Sequence, residues 1–255
     1  MLVIHDTTNP DFYKHTDKGR GLDLGQKTAE GYKGVATPFP KELLIPRSEW
    51  KARIDEMTAQ KTRLKDLAAY YNLKCKDQQR TNYCWCNAPT YCTELTLIKQ
   101  NQKKTVLSAA SVGGPIKNFW NVGGWGKEAL EWITKNGIVP QDLWPENDID
   151  SQYYTEANKA VAKNYAVQEW FELTPGDRDQ LISALLHRIP VAIGLAWWSH
   201  EVTAENVVWL DGDAWPEFRN SWGMDWGTDG GYGVLQGNKA DADDAVCPAT
   251  TIAAG

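Results

Sequence analysis

The chain has 255 residues and a formal net charge of −6, with 42% hydrophobic residues, 24% charged residues and 13 Trp. An acidic chain lacks the clustered Lys and Arg that hold nucleic acid or an anionic membrane, so we expect no nucleic acid and no membrane as a partner. The longest apolar run, residues 189–198, is about half as long as a membrane-spanning helix. A chain of this length buries a sizeable core as one large domain or as two lobes that share an interface.

The amino-terminus and the cysteines indicate a reducing compartment. Residues 1–4 are followed at once by two polar residues, so no classical secretory signal is visible. The five cysteines are an odd set without the paired spacings of secreted scaffolds. We therefore expect the protein in the host cytoplasm or in a virion assembled there. The spacing of Cys84, Cys86 and Cys92 does not match the usual zinc pattern, so neither a metal nor another cofactor is predicted.

The first 46 residues show no sustained apolar period and are predicted to form an extended N-terminal arm. Such an arm either wraps over its own body, docks onto a partner or acts as an inhibitory segment. From Ser48 to Tyr71, apolar residues recur every three or four positions. This spacing predicts one amphipathic helix of about 24 residues, with Ser48 as its N-cap and Glu49 in its first turn.

Helices dominate the next part of the chain and strands the last part. Helices are predicted over residues 84–99, 127–136, 155–163 and 177–187, the second of them ending at Gly137. Strands are predicted over residues 166–173, 191–197, 202–210, 216–219 and 231–235. This order indicates an α+β protein with a helical lobe at about 47–145, a β lobe at about 146–237 and an extended tail at 238–255.

The most unusual part of the sequence is residues 219–227. Two tryptophans four residues apart are each followed by glycine and are preceded by the pair Asn220 and Ser221. Neither a helical nor a strand period generates this pattern. If Asn220 orients a catalytic histidine, a cysteine nucleophile is required far upstream, because such partners are neighbours in space and not in sequence. Cys84, followed by a tryptophan, and His200 are the candidates.

Three blocks, residues 77–85, 199–202 and 220–223, together resemble the papain-like cysteine peptidases, in that family's order of Cys, His and Asn. The resemblance runs from about residue 73 to residue 237. It implies a papain-like two-lobed fold, with the active-site cleft between a helical lobe and an antiparallel β lobe, and a peptidase domain over residues 47–237. It also implies a cysteine endopeptidase that hydrolyses peptide or protein substrates through an acyl-enzyme.

The resemblance implies a role for each matching residue. Cys84 would be the nucleophile, because a thiol at a helix N-terminus facing an imidazolium has a lowered pKa. His200 would protonate the leaving amine, and Asn220 would hold the imidazole in one tautomer. Gln78, six positions before Cys84, would supply a donor of the oxyanion hole. The residues that would line the cleft and bind substrate are Gly123, Gly124, Trp222 and Trp226.

Several positions depart from the family pattern. Thr81 stands where secreted relatives have a disulfide cysteine, and Glu201 follows His200 where the family prefers a small apolar residue. Only nine residues separate Pro190 from His200, so the long excursion that helps to wall the substrate pocket is missing. We therefore expect a shallower cleft.

The trimmed pocket and the long arms resemble the compact papain-like proteins encoded by bacteriophages. Two alternatives to the peptidase follow. One is a structural protein of a virion that keeps the papain-like fold and binds neighbouring virion subunits through its arm and tail. The other is an amidase or isopeptidase that uses the same residues on cell-wall or protein-conjugate links.

Overall fold

The structure is a computed structural model that describes residues 1–13, 17–25, 37–228 and 230–252. The α-helices are α1 (Arg47–Ala59), α2 (Leu64–Tyr70), α3 (Cys84–Lys99), α4 (Ala110–Ile116), α5 (Gly126–Asn136), α6 (Glu156–Ala162) and α7 (Arg178–Leu186). The β-strands are β1 (Val3–Ile4), β2 (Thr37–Pro38), β3 (Val167–Glu172), β4 (Val191–Leu195), β5 (His200–Leu210), β6 (Asp213–Arg219), β7 (Tyr232–Leu235) and β8 (Asp244–Thr251).

The strands form one sheet in the order β1-β7-β6-β5-β4-β8-β3-β2. The inner strands pair antiparallel, as predicted for the β lobe. Both edge pairs, β1 with β7 and β2 with β3, are parallel. Both of these edge strands come from the first 46 residues. The sheet is mixed because the N-terminal arm adds one strand to each edge.

Helix α3 is the centre of the helical lobe. It is buried from Cys84 to Ile98 because it packs against β5 and β8 on one side and α5 on the other. Its bounds are those predicted from the sequence, and α5 ends as predicted at Gly137, which has a left-handed φ of 76°. In the described parts of the chain, no helix is both long and apolar enough to cross a membrane.

The prediction of one helix over residues 48–71 is wrong. The helix is interrupted after α1, where Lys61 adopts a left-handed φ of 53°. Trp50 and Ile54 of α1 belong to the core that contains most of the sheet, whereas Ala68 of α2 packs in a cluster with α3. The apolar residues of the two halves therefore face different partners, and the break lets the chain reach both.

The predicted cap of this helix is wrong as well. Helix α1 begins at Arg47, and Pro46 is its N-cap residue, without a capping hydrogen bond from a side chain. Ser48 therefore lies inside the first turn, next to Glu49, which has the place predicted for it. Proline suits the start of a helix because its fixed φ is compatible with helix entry. Inside a helix its missing N–H and its ring would disrupt the hydrogen bonds.

The sequence predicts an extended tail after residue 237, but the structure includes residues 244–251 of this segment in the sheet. Strand β8 lies between β4 and β3 and pairs antiparallel with both. Val246 and Cys247 in this strand are fully buried. Helices α3 and α5 pack on this strand, so the small residues of the segment are those of a tightly packed strand and not of a peripheral tail.

The described parts of the N-terminal arm, residues 1–46, lie on the body of the protein. Between β1 at one edge of the sheet and β2 at the other, residues 17–25 cross the cleft between the helical and β lobes. The arm therefore wraps over its own chain, one of the three possibilities that its sequence left open. Residues 14–16 and 26–36 of the predicted arm are outside the described residues.

Candidate active site

Four elements bring the predicted catalytic residues to one cleft. Cys84 is the first residue of α3, His200 is the first residue of β5, Asn220 follows β6, and Gln78 lies in the loop before α3. At most 2% of any of these four residues is exposed. Residues 17–25 of the arm cover them, so the cleft is occupied by the protein's own chain.

The imidazole of His200 is enclosed by aromatic rings and held by an amide. Its Nε2 lies 2.7 Å from Asn220 Oδ1, which also accepts a hydrogen bond from the Ser221 N–H. Trp222 lies across the imidazole with 4.6 Å between centroids, and Trp198 meets it edge-on at 5.0 Å. Among the described residues, His200 Nδ1 makes no hydrogen bond. With Nε2 committed to the amide, Nδ1 is the nitrogen available to a thiol.

Cys84 is covered by the arm, and its surroundings keep it neutral. Its Sγ accepts a hydrogen bond from the Gly21 N–H at 3.2 Å. Burial raises the pKa of the Cys84 thiol to about 12. Burial also lowers the pKa of His200 to about 3, against the hydrogen bond to Asn220, and the positive charge of Arg20 lowers it further. Near pH 7 the covered thiol and imidazole are therefore both uncharged.

Gln78 points its amide at a carbonyl oxygen of the arm. Its Oε1 accepts a hydrogen bond from the Ser221 hydroxyl. Its Nε2 donates to Thr81 O at 2.8 Å and to Gly19 O at 2.9 Å. The indole Nε1 of Trp222 also donates to Gly19 O, at 3.3 Å. Two side-chain donors thus converge on one carbonyl oxygen, as an oxyanion site requires.

A buried ion pair supports the loop that carries Gln78. Lys76 Nζ lies 2.6 Å from Glu94 Oε1 of α3, and both side chains are almost completely buried. Lys76 also donates to Leu107 O, and Glu94 accepts from Leu107 N–H, each at 2.6 Å. Lys76 O in turn accepts from Gly223 N–H at 2.9 Å. The pair therefore links the loop before α3 to the middle of α3 and to the segment after β6.

The two predicted glycines form one wall of the cleft. Gly124 donates its N–H to Gly21 O and accepts at its own oxygen from Asp23 N–H, both at 2.8 Å. Leu22 and Gly124 consequently form a parallel bridge. A Cβ atom on Gly123 would lie only 2.5 Å from Gly21 O. The missing side chain of Gly123 lets an extended backbone come close enough to pair, whereas a Cβ atom on Gly124 would lie 2.6 Å from the indole of Trp85.

Two glycines of the arm lie equally close to the backbone just before α3. A Cβ atom on Gly19 would lie 1.8 Å from Thr81 O, and one on Gly21 would lie 2.0 Å from Asn82 O. Both carbonyl groups belong to the backbone just before α3 and cannot move as a flexible side chain would. Any larger residue at these positions would therefore push the arm out of the cleft.

The structure separates the two predicted cleft tryptophans. Trp222 contacts both His200 and the arm, whereas Trp226 is buried behind it, against Phe218. None of the described contacts of residues 17–25 involves Trp226. Sequence reasoning also missed Trp198, although its place two residues before His200 was a signal for it.

One protein family matches the part of the sequence that forms most of this cleft. The family model with the description "Papain family cysteine protease" matches residues 68–208, more than half of the chain. The chain belongs to the papain family of cysteine proteases. The matched region contains Cys84 and His200, and Asn220 lies beyond its end.

Solved structures show the fold of this papain-family protease. The digestive procathepsin L 3 of Tenebrio molitor larval midgut has 18% identity and a TM-score of 0.67, over 97% of this chain and 80% of that chain. Xylellain, a cysteine protease from Xylella fastidiosa, has 16% identity and a TM-score of 0.62, over 93% and 96%. The proform of Amb a 11, a ragweed pollen cysteine protease, has 20% identity and a TM-score of 0.57, over 71% and 61%. The predicted papain-like α+β fold is confirmed. No curated protein sequence matches the chain.

Two features of this papain-family protease that depart from the family pattern lie around the cleft. All five cysteines are free thiols, including the three at the start and middle of α3. Strands β4 and β5 are joined only by a 3-10 turn, Ala196–Trp198, and by Ser199 in a left-handed conformation. The short distance from Pro190 to His200 in the sequence thus corresponds to a tight connection, with no inserted loop at this side of the cleft.

Proposed function

We propose that this papain-family protease cleaves peptide bonds with Cys84 as the nucleophile, His200 as its proton acceptor and donor, and Asn220 as the residue that orients His200. The observation that carries the proposal is the fixed imidazole. Its Nε2 is committed to Asn220 at 2.7 Å, so Nδ1 is left to exchange a proton in the cleft that also contains the Cys84 sulfur.

The proposed reaction begins when a substrate replaces the arm. Nδ1 of His200 takes the proton of the Cys84 thiol, and the thiolate attacks the scissile carbonyl carbon. The oxygen of the tetrahedral intermediate accepts hydrogen bonds from Gln78 Nε2, in the place that Gly19 O has in the structure. His200 then protonates the leaving amine, and water hydrolyses the acyl-enzyme. Trp222 shields the hydrogen bond between the imidazole and Asn220 from water throughout.

We also propose that residues 17–25 keep the enzyme inactive. Gly21 presents an N–H group, and not a carbonyl carbon, to the Cys84 sulfur. Gly19 O uses the amide of Gln78 that would otherwise bind the oxyanion. Two of the similar structures are of a procathepsin and of a proform, so precursor forms occur among proteins with this fold. The segment therefore acts as a built-in competitor of the substrate.

A structural role in a virion has less support. In that role the arm would bind neighbouring subunits. Such binding competes with the contacts that the arm makes with its own chain through β1, residues 17–25 and β2. A bacteriophage source remains a proposal that rests on the resemblance of the sequence. The five free thiols support a location in the cytoplasm or in a virion.

The proposed site is tested by alkylation of the cysteines in a full-length chain in which Gly21→Val displaces the arm. Near pH 7 we expect iodoacetamide to label Cys84 at least about 100-fold faster than Cys75 and Cys247, because burial raises the pKa of each of the latter to about 12. His200→Ala on the same background is expected to abolish the difference. Gly25→Ala, a change in the arm without a backbone clash, is the matched control. Equal labelling of the three cysteines would contradict the proposal.

The kind of bond cleaved is a separate measurement. The Gly21→Val chain is incubated with an unmodified peptide library and with branched isopeptides of matched sequence. Cleavage of the library supports the peptidase, and cleavage restricted to the branched links supports the isopeptidase alternative. Cys84→Ala in the same chain is the control that assigns the cleavage to this site.

A further inference from the structure

The amide of Asn220 uses only one of its two ends. Its Oδ1 accepts hydrogen bonds from His200 Nε2 at 2.7 Å and from Ser221 N–H at 2.8 Å. Its Nδ2 is buried and makes no hydrogen bond to any residue that the structure describes. A buried N–H group without an acceptor is unfavourable, because it has lost its hydration and gained nothing in return. The residue proposed to orient the imidazole therefore requires an acceptor for its nitrogen.

Asn87 has the complementary requirement. It lies in the first turn of α3, three residues after Cys84, and only 1% of it is exposed. Its Nδ2 donates to Tyr83 O at 2.8 Å. Because a carbonyl oxygen only accepts, this contact fixes which end of the Asn87 amide is the nitrogen. The other end, Oδ1, is buried and accepts no hydrogen bond from the described parts of the chain.

A small cavity joins the two amides. Asn87 and Asn220 both line it, between α3, β5 and the segment after β6. It leaves about 10 Å³ for the centre of a water molecule, which is the room that one buried water needs. Thr203 of β5 also lines it, and its hydroxyl donates to Ala88 O at 3.2 Å, so a lone pair remains to accept. The cavity thus offers a donor and two acceptors.

The two charged groups in the wall of the cavity are engaged elsewhere. The Lys76 ammonium lies 2.6 Å from Glu94 Oε1. Arg219 Nη1 donates to Leu73 O at 2.8 Å. The volume is too small for a hydrated ion, and these charges already have partners. A single neutral molecule with two donors and two acceptors is therefore the occupant that the wall fits.

We infer that one bound water molecule lies in this cavity, where it accepts a hydrogen bond from Asn220 Nδ2 and donates one to Asn87 Oδ1. Asn87 is thereby a positioning residue of the site, which it serves through Asn220. The inference rests on the proposed role of Asn220 in catalysis. It also means that α3, which carries the Cys84 thiol, holds the amide that orients the imidazole.

The water link matters because the two ends of an amide have nearly the same shape. A half-turn of the Asn220 side chain would direct Nδ2 at His200 Nε2, which would then have to accept, and the ring proton would move to Nδ1. In that tautomer Nδ1 cannot take the proton of the Cys84 thiol. Water that binds Nδ2 opposes the half-turn, together with the Ser221 N–H at the other end of the amide.

A crystal structure of the wild-type chain, at a resolution that shows ordered water, tests the site directly. We expect one water molecule within about 3.2 Å of both Asn220 Nδ2 and Asn87 Oδ1. An empty cavity, or a water that contacts only one of the two amides, would overturn the inference. The test needs no catalysis, so its result does not depend on the peptidase function.

The tautomer of His200 tests the role of Asn87. In Asn87→Leu, methyl groups replace the amide and the water loses an acceptor. We expect ¹⁵N NMR of the histidine-labelled full-length chain near pH 7 to show the Nε2–H tautomer in the wild type. In Asn87→Leu the share of the Nδ1–H tautomer should rise at least about tenfold. Among the four histidines, His200→Gln assigns the signal.

Thr90→Val is the matched control for this spectrum. Thr90 lies in the same helix, and its hydroxyl is also buried without a hydrogen bond to a described residue, but it is not part of the cavity wall. The control should leave the tautomer of His200 unchanged. Equal spectra of the wild type and Asn87→Leu, or the same change in Thr90→Val, would overturn the positioning role.

Kinetics in the Gly21→Val chain connect this role to the reaction. Asn87→Leu is expected to lower kcat for a peptide at least about tenfold and to change KM by less than about twofold, because the amide does not contact the substrate. Thr90→Val should change neither. An unchanged kcat in Asn87→Leu would overturn the positioning role. A Gly21→Val chain that cleaves no peptide would instead contradict the peptidase function, and the water and the tautomer would still decide the inference.

Discussion

At the scale of residues, the charge state of Cys84 and His200 depends on what covers them. The thiol accepts an N–H from Gly21 of the arm, and burial keeps it protonated. The imidazole is fixed on Asn220 but is uncharged for the same reason. Substitution of water or a polar substrate for the arm would remove much of the desolvation. On the proposed mechanism, removal of the arm would let the thiol and the imidazole form a reactive ion pair, which their desolvation beneath the arm prevents.

The first prediction concerns the pH dependence of this thiol. In the wild-type chain, alkylation of Cys84 should rise with pH toward about 12, because only the thiolate reacts and burial raises the pKa of Cys84 to about 12. In Gly21→Val the midpoint should fall by at least about three units, toward the range of thiolates paired with an imidazolium. Site-resolved mass spectrometry at a series of pH values measures both curves. Superimposable curves would show that the arm does not control the thiol.

The second prediction concerns acid. Burial lowers the pKa of His200 in the covered state to about 3, from an ordinary value of 6.5. This contribution to the free energy of unfolding is complete above pH 6.5 and is lost as the pH falls toward 3, because the unfolded chain binds the proton more readily. Between pH 6.5 and pH 5 the loss should be about 2 kcal/mol.

Urea unfolding of the wild type and of His200→Gln at both pH values measures this term. The variant lacks the titrating group, so its stability should change less over the interval, by about the same 2 kcal/mol. An equal change in the two proteins would assign the acid sensitivity to other groups.

At the scale of elements, the site depends on how α3 and the loop before it are tied together. Lys76 and Glu94 form an almost fully buried ion pair, and Leu107 uses its N–H and its carbonyl to complete it. The same loop continues into Gln78. The pair therefore fixes the position of the proposed oxyanion donor relative to the N-terminus of α3. We expect the ion pair to support the site mainly by fixing this geometry, and less by net stabilisation from charge attraction.

The third prediction follows from this pair. Glu94→Ala should reduce the free energy of unfolding by about 3–5 kcal/mol, because it removes the closest carboxylate, at 2.6 Å, from the buried Lys76 ammonium. Urea denaturation measures the loss. Glu146→Ala is the matched control, since Glu146 Oε1 lies 3.5 Å from the same ammonium and is more exposed. The double variant Lys76→Met, Glu94→Leu should recover part of the loss. Equal effects of the Glu94 and Glu146 changes would contradict this role.

Elements with a strong local signal could be predicted from the sequence. Helix α3 carries its apolar residues throughout, and α5 ends at a glycine in a left-handed conformation. The helix over residues 48–71 could not be divided correctly, because its apolar period continues through a break that only tertiary packing requires. Strand β8 was missed because burial between two strands tolerates small residues and leaves no alternating pattern.

The candidate catalytic residues could also be predicted from local sequence patterns, but their contact with the arm could not. Cys84 with Trp85, and Asn220 with its tryptophans, are short patterns that can be read locally. The proximity of Gly21 to the thiol joins residues 63 positions apart in the chain. No periodicity marks such a contact.

At the scale of the whole molecule, the arm is anchored at both edges of the sheet. Strand β1 pairs with β7 at one edge, and β2 pairs with β3 at the other. The segment over the cleft lies between these anchors in the sequence. Loss of one anchor should therefore weaken the covering segment even though the anchor is far from the thiol, because fewer contacts then offset the entropy of ordering the arm.

The fourth prediction tests this anchoring. Ile4 is completely buried in the core, so Ile4→Ala should cost about 2–5 kcal/mol in the contacts of β1. The weakened anchor should raise the rate of Cys84 alkylation in the otherwise unchanged chain. Val3→Ala is the matched control, because Val3 is only half-buried in the same strand and should have a smaller effect. Equal alkylation in the wild type and Ile4→Ala would show that β1 does not hold the arm.

One measurement tests both the proposed mechanism and its control by the arm. It compares hydrolysis of a peptide library by the wild type, by Gly21→Val and by Gly21→Val with Cys84→Ala. The clash of a side chain at 21 with Asn82 O should expose the cleft, so cleavage should be fast in Gly21→Val and slow in the wild type. Cleavage should be absent when Cys84 is replaced. Cleavage that persists without Cys84, or a Gly21→Val chain that exposes the thiol yet cleaves no peptide, would contradict the account.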